Sequence, residues 1–173
     1  MEYSLKDLIN NGLEVTWETV YVGSERGILK YNDLEDFATD YLNKNKNCDN
    51  QLILNLSWGD FNRENLDGEL YNVLKSLDCK VIMEHSDQWN KELRKWRYSK
   101  LVYLNSKYKE DFDLLLDSIY KVYADFDYHP DMLDFIHYMN NPVKELSKEE
   151  NQKNLVMTFR EFLDKEKLEL QNK

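Results

Sequence analysis

Proline and glycine are scarce in this chain, with two and five residues among 173. Folds with many reverse turns, and loops that cradle phosphate on bare backbone, draw heavily on both. Sandwiches, barrels and Gly-rich nucleotide-binding folds are therefore disfavoured. The one glycine pair close in sequence, Gly23-Ser-Glu-Arg-Gly27, matches neither GxGxxG nor GxxxxGK[ST] and reads as a turn that ends or interrupts a helix. Cysteine is equally sparse. Cys48 and Cys79 have no CxxC spacing, so they are expected to be reduced packing residues rather than a disulfide or a metal clip. No apolar run approaches the ~20 residues that span a bilayer. The start, Met1-Glu-Tyr-Ser-Leu-Lys-Asp, lacks the basic and apolar regions of a secretory leader, and the expected location is cytoplasmic. Three histidines, His85, His129 and His137, stand in no HExxH or Ser/His/Asp arrangement, so no catalytic residue, metal or cofactor is assigned and the expectation is a non-enzyme.

What the chain does contain is apolar, aromatic and acidic. Hydrophobic residues make up 42% and aromatic residues 13%, enough to build a core. The 33 acidic against 23 basic side chains leave a formal charge of −10. That sign repels nucleic acid and anionic membranes and attracts a basic protein over a Debye length of about 10 Å.

The periodicity is helical nearly throughout. Ser4 and Asp7 open a short helix that stops at Asn10-Asn11-Gly12, and Thr16 caps a second. Leu34, Phe37, Ala38, Tyr41 and Leu42 form one amphipathic stripe opened by Asn32 or Asp33. Leu66, Leu70, Val73, Leu74 and Leu77 form the next. A long helix is predicted from Ser86 to about residue 105, and Phe112 to Phe126 make another that ends before His129-Pro130. Pro130 opens a short helix with Leu133, Phe135 and Ile136 inward, stopped by Asn140-Asn141-Pro142. Ser147 and Glu150 form a capping box for a C-terminal helix whose last residues, 166–173, are expected to fray. Two segments resist periodicity: residues 51–58, read as helix, and residues 78–84, either a short strand or an extended connector. The prediction is one all-α domain over residues 1–173, a bundle or irregular array of about seven to nine helices.

The densest polar cluster is Asp125-Phe-Asp-Tyr-His-Pro-Asp131. Its alternating Asp125, Asp127, His129 and Asp131 suit a divalent cation, which keeps a metal-dependent enzyme as the alternative reading. The calcium-loop pattern fails, because Pro130 stands where Gly is needed and Ile136 where a Glu belongs. Capping of the following helix by Asp127 or His129 accounts for the residues more simply. A second concentration, Arg94, Lys95, Arg97 and Lys100 beside Trp96 and Tyr98, reads as cations snorkelling or pairing with Glu92 and other acids rather than as an RNA surface.

The run Tyr123-Ala-Asp-Phe-Asp-Tyr128, followed by Phe135-Ile136-His137-Tyr138-Met139, resembles the bacterial family known as domain of unknown function 2247. Leu13-Glu-Val-Thr-Trp17 and Lys95-Trp96-Arg97-Tyr98 resemble its other recurring features. The chain departs from that pattern where His129 separates Tyr128 from Pro130 and where Asn140 follows Met139. Small acidic families of this kind resemble the immunity proteins of bacterial polymorphic toxin systems. The resemblance implies a binding protein that occludes a basic toxin, with Asp125, Asp127, Tyr128, Asp131, Asp134 and Tyr138 as the expected contact surface. A scaffold or regulatory module is the further alternative.

Overall fold

Helix starts are fixed by side chains that accept otherwise unpaired backbone N–H groups. In the computed structural model, which describes residues 3–79, 82–136 and 146–171, Ser4 accepts from Lys6 N to open α1 (Leu5–Asn10). Thr16 and Thr19 cap each other reciprocally to open α2 (Trp17–Glu25). The next helix, α3 (Tyr31–Lys44), begins slightly earlier than Asn32 or Asp33 and has no side-chain cap. Asp33 is engaged elsewhere: its buried carboxylate accepts the N–H of Leu5 at 2.8 Å and so ties α1 to α3. Asn50 accepts from Leu52 N and opens α4 (Gln51–Ser57), which settles the ambiguous apolar run as helix. The remaining helices are α5 (Leu66–Ser76), α6 (Asp87–Lys107), α7 (Phe112–Asp125) and α8 (Lys148–Gln171). Asp111 caps α7, and Ser147 with Glu150 forms the box that opens α8. Two 3-10 segments, Arg63–Asn65 and Pro130–Phe135, complete the set among the described residues.

The fold is all-α, an irregular helical array with no strand among the described residues. Residues 82–84 carry no strand, and Lys80 and Val81 lie outside the described residues. By backbone proximity the chain divides into two compact units, Met1–Trp96 and Arg97–Lys173, with the division inside α6.

In the first unit α3 packs on α4, α2 on α5, α4 on α5 and α1 on α3. Leu34, Ala38, Ile53, Val73 and Leu74 are completely buried there. Gly23 lies inside α2 rather than breaking it, and the position needs glycine because a Cβ there would lie 2.8 Å from Cε2 of the buried Trp96. Gly27 supplies the left-handed residue that ends α2, with φ +63° and the N–H of Ile28 donating to Gly23 O.

In the second unit α8 packs on α7 and on the 3-10 segment. Ile119, Val122, Met132, Phe135 and Phe159 are buried, and the Phe135 ring lies 5.4 Å from that of Phe159 and 5.0 Å from that of Phe162. Leu133, expected to face inward, is exposed instead. The segment is a 3-10 turn, whose three-residue repeat aligns Met132 with Phe135 and turns Leu133 outward. α8 continues through residue 171, with Glu166 and Leu170 buried.

Candidate functional site

The acidic, aromatic run of the second unit is shaped by how α7 ends. Tyr128 N donates to Tyr123 O at 2.9 Å and Asp127 N to Ala124 O at 3.2 Å, the double closure of a Schellman motif. Asp127 occupies the left-handed position usually given to glycine, and Tyr128 follows it there, both at φ +57°. The alternation of the run now has a structural cause. Tyr123 and Phe126 are buried, whereas Asp125 and Asp127 are exposed. Tyr128 is 57% exposed, and its ring stands edge-on to Tyr123 with centroids 5.3 Å apart. Pro130 then fills the first position of the 3-10 segment, and the His129 ring caps it by accepting from Asp131 N at 3.4 Å.

Asp131 has a different role from its neighbours. Its carboxylate lies 3.3 Å from Nη2 of Arg97 and 3.2 Å from Nδ1 of His129. Arg97 is buried, reaches Glu166 at 3.8 Å, and sits over the Phe162 ring. Of the expected contact residues, the structure therefore exposes Asp125, Asp127, Tyr128 and Asp134 and ties Asp131 to an internal cation. Tyr138, like His137, lies outside the described residues. Of Asp125, Asp127, His129 and Asp131 only His129 and Asp131 meet, and no three His, Cys, Asp or Glu groups among the described residues gather as metal ligands.

A second feature lies wholly in the first unit: a cavity of about 590 Å³ formed by α1, α2 and α3 together with Leu77 and Cys79. Its aromatic wall is Trp17, set edge-on to Phe37 at 4.9 Å and to Tyr41 at 5.4 Å. The indole N–H of Trp17 is buried and has no hydrogen-bond partner among the described residues. Asp36 and Asp40 also line the cavity, and both are exposed. Lys6 is paired with Asp36 at 2.8 Å, and this bond holds its amine above the ordinary lysine range. Burial, followed by the carboxylate of Glu18, raises the Cys79 thiol and keeps it protonated. A protonated thiol is a poor nucleophile.

The family model for an uncharacterised protein conserved in bacteria, DUF2247, matches residues 5–167. The chain belongs to the DUF2247 family. No curated protein and no solved structure matches it.

In this DUF2247 chain the basic, aromatic segment of α6 is interior. Lys95, Trp96, Arg97, Tyr98 and Lys100 are all buried. Lys95 Nζ lies 2.7 Å from Glu92 and donates to Glu14 O at 2.9 Å, while Glu92 also accepts from Thr19 Oγ1 at 2.6 Å and Gln88 Nε2 at 2.8 Å. The pairing with Glu92 agrees with the sequence expectation. Helical periodicity does not single out the cavity, although α3 carries a signal for it: Asp36-Phe37 and Asp40-Tyr41 repeat an acid–aromatic pair four residues apart, which places two carboxylates and two rings on adjoining helical strips.

Proposed function

We propose that this DUF2247 protein is a non-enzymatic binding protein of the cytoplasm that captures a basic protein partner through the Asp125–Asp134 surface of its second unit. The observation that carries the reading is Tyr128, a large exposed ring braced edge-on by Tyr123 on a double left-handed turn and flanked by the exposed Asp125 and Asp127. A pre-positioned tyrosine loses little conformational freedom on binding, and tyrosines of this kind dominate the energetics of interfaces. The surrounding carboxylates steer a cationic partner and raise its association rate. Within this reading, the resemblance to immunity proteins makes the partner a toxin encoded beside the gene, neutralised by covering its basic substrate-binding surface.

The test is co-expression with the product of the neighbouring gene, followed by co-purification and growth. The wild-type chain should form a complex and protect the cell, and Tyr128→Ala should weaken the complex by about 2 kcal/mol or more. Absence of a complex, or a Tyr128→Ala variant that binds as tightly as wild type, would contradict the proposal.

A further inference from the structure

We infer that the cavity between α1, α2 and α3 is a receptor for an organic cation with a short apolar stem, such as a guanidinium or alkylammonium group. This site is separate from the tyrosine surface and does not depend on it.

The lining chemistry decides the sign of the ligand. Five carboxylates, those of Glu14, Glu18, Asp33, Asp36 and Asp40, line the cavity against the two amines of Lys6 and Lys44. Several of these groups are already committed. Asp33 accepts from Leu5 N, Glu18 bonds the Cys79 thiol, and Asp36 holds Lys6. Asp40 makes no hydrogen bond or ion pair among the described residues and acts on Lys6 only through space. It is therefore the carboxylate placed to receive an incoming positive charge. A cleft lined mainly by one sign of charge and walled by apolar groups focuses its field on the opposite charge.

The aromatic wall supplies the rest of the recognition. Trp17, Phe37 and Tyr41 meet edge-on, at interplanar angles of 81° and 68°, so their faces are not stacked on one another. Phe37 and Tyr41 are only partly buried. Cations bind over such faces, and an apolar stem is covered by the Leu5 and Leu13 side chains beside them. Burial also raises the Tyr41 hydroxyl above its ordinary range, so the ring stays neutral at physiological pH.

The experiment is calorimetric titration of the full chain with n-butylguanidinium, and with n-butylurea as its neutral isostere. The cation should bind at about millimolar concentration and the urea about tenfold more weakly or less, with the difference shrinking as salt rises. Asp40→Asn, an exposed substitution, should weaken cation binding about fivefold to tenfold, while Glu64→Gln, an exposed carboxylate of the same unit that does not line the cavity, leaves it unchanged. A capped Gly-Arg-Gly peptide identifies the source: tighter binding than the free cation shows that the site reads an arginine within a polypeptide, and equal binding shows a receptor for small cations. Equal binding of urea and guanidinium, no binding of either, or an Asp40→Asn variant with wild-type affinity would overturn the assignment.

Discussion

Lys95 and Arg97 stand two residues apart on α6, yet they belong to different compact units and are held in different ways. Lys95 sits in a closed set of bonds in which Glu92, Thr19, Gln88 and Glu14 O lie 2.6 to 2.9 Å from their partners. Arg97 reaches Asp131 at 3.3 Å and Glu166 at 3.8 Å, and one of these acids is half exposed beside the capping His129. A buried ion pair is stable only when its remaining donors and acceptors are satisfied. The Lys95 network is thus a structural lock. The Arg97 network is longer and ends in solvent, next to the exposed tyrosine turn, where some give is tolerable.

The sharpest test of that contrast is to remove one acid from each network. Glu92→Ala leaves the buried Lys95 with the Glu14 carbonyl but no counter-charge and should cost about 3–5 kcal/mol of unfolding free energy, measured by urea denaturation. Glu166→Ala leaves Arg97 with Asp131 and should cost less, about 1–3 kcal/mol. Equal losses would erase the distinction.

The helix ends sharpen the comparison further. In the first unit α1, α2 and α4 close on Gly12, Gly27 and Gly59 at positive φ, α5 closes on Asp78 at φ +54°, and α3 ends on Asn45 at negative φ. In the second, α7 closes on Asp127 followed by Tyr128. A left-handed residue with a side chain costs roughly 1–2 kcal/mol, less for Asp. Asp127→Gly should therefore raise stability by up to about 1 kcal/mol, whereas Gly27→Ala should lower it by a similar amount, both read from thermal melts. If Asp127→Gly also weakens partner binding, the strain is retained for function.

A smaller effect lies at alkaline pH. Burial, then the bond to Glu25, pushes Tyr21 up to about 12 from its ordinary 10.0. Its contribution is complete below pH 10 and is lost as pH rises toward 12, because the unfolded chain releases the proton first. Tyr21→Phe should flatten the decline in stability across that window, and an unchanged slope would count against this assignment.

Much of the fold is legible because the stripes at residues 34–42, 66–77 and 112–126 follow the helical repeat, with Tyr71 and Leu114 as the exposed apolar residues off the stripe. The buried cations of α6 were harder to place. A period-based reading sends every charge to solvent, while the hydroxyl that bonds Glu92 comes from Thr19, 73 residues away in sequence. Leu133 was misplaced because sequence alone did not distinguish a 3-10 turn from an α-helical one. The acidic run was found from its composition, but the commitment of Asp131 to Arg97 depends on a contact across 34 residues. The cavity assembles from three helices and Cys79, and only the Asp36-Phe37, Asp40-Tyr41 repeat hinted at it.

The central claim, that an exposed tyrosine among carboxylates captures a basic partner, is tested most directly by the association rate of the purified pair as a function of ionic strength. The account predicts a rate that falls steeply with salt and that drops at low salt in an Asp125→Asn, Asp134→Asn double variant. A rate indifferent to both salt and those two charges would contradict it.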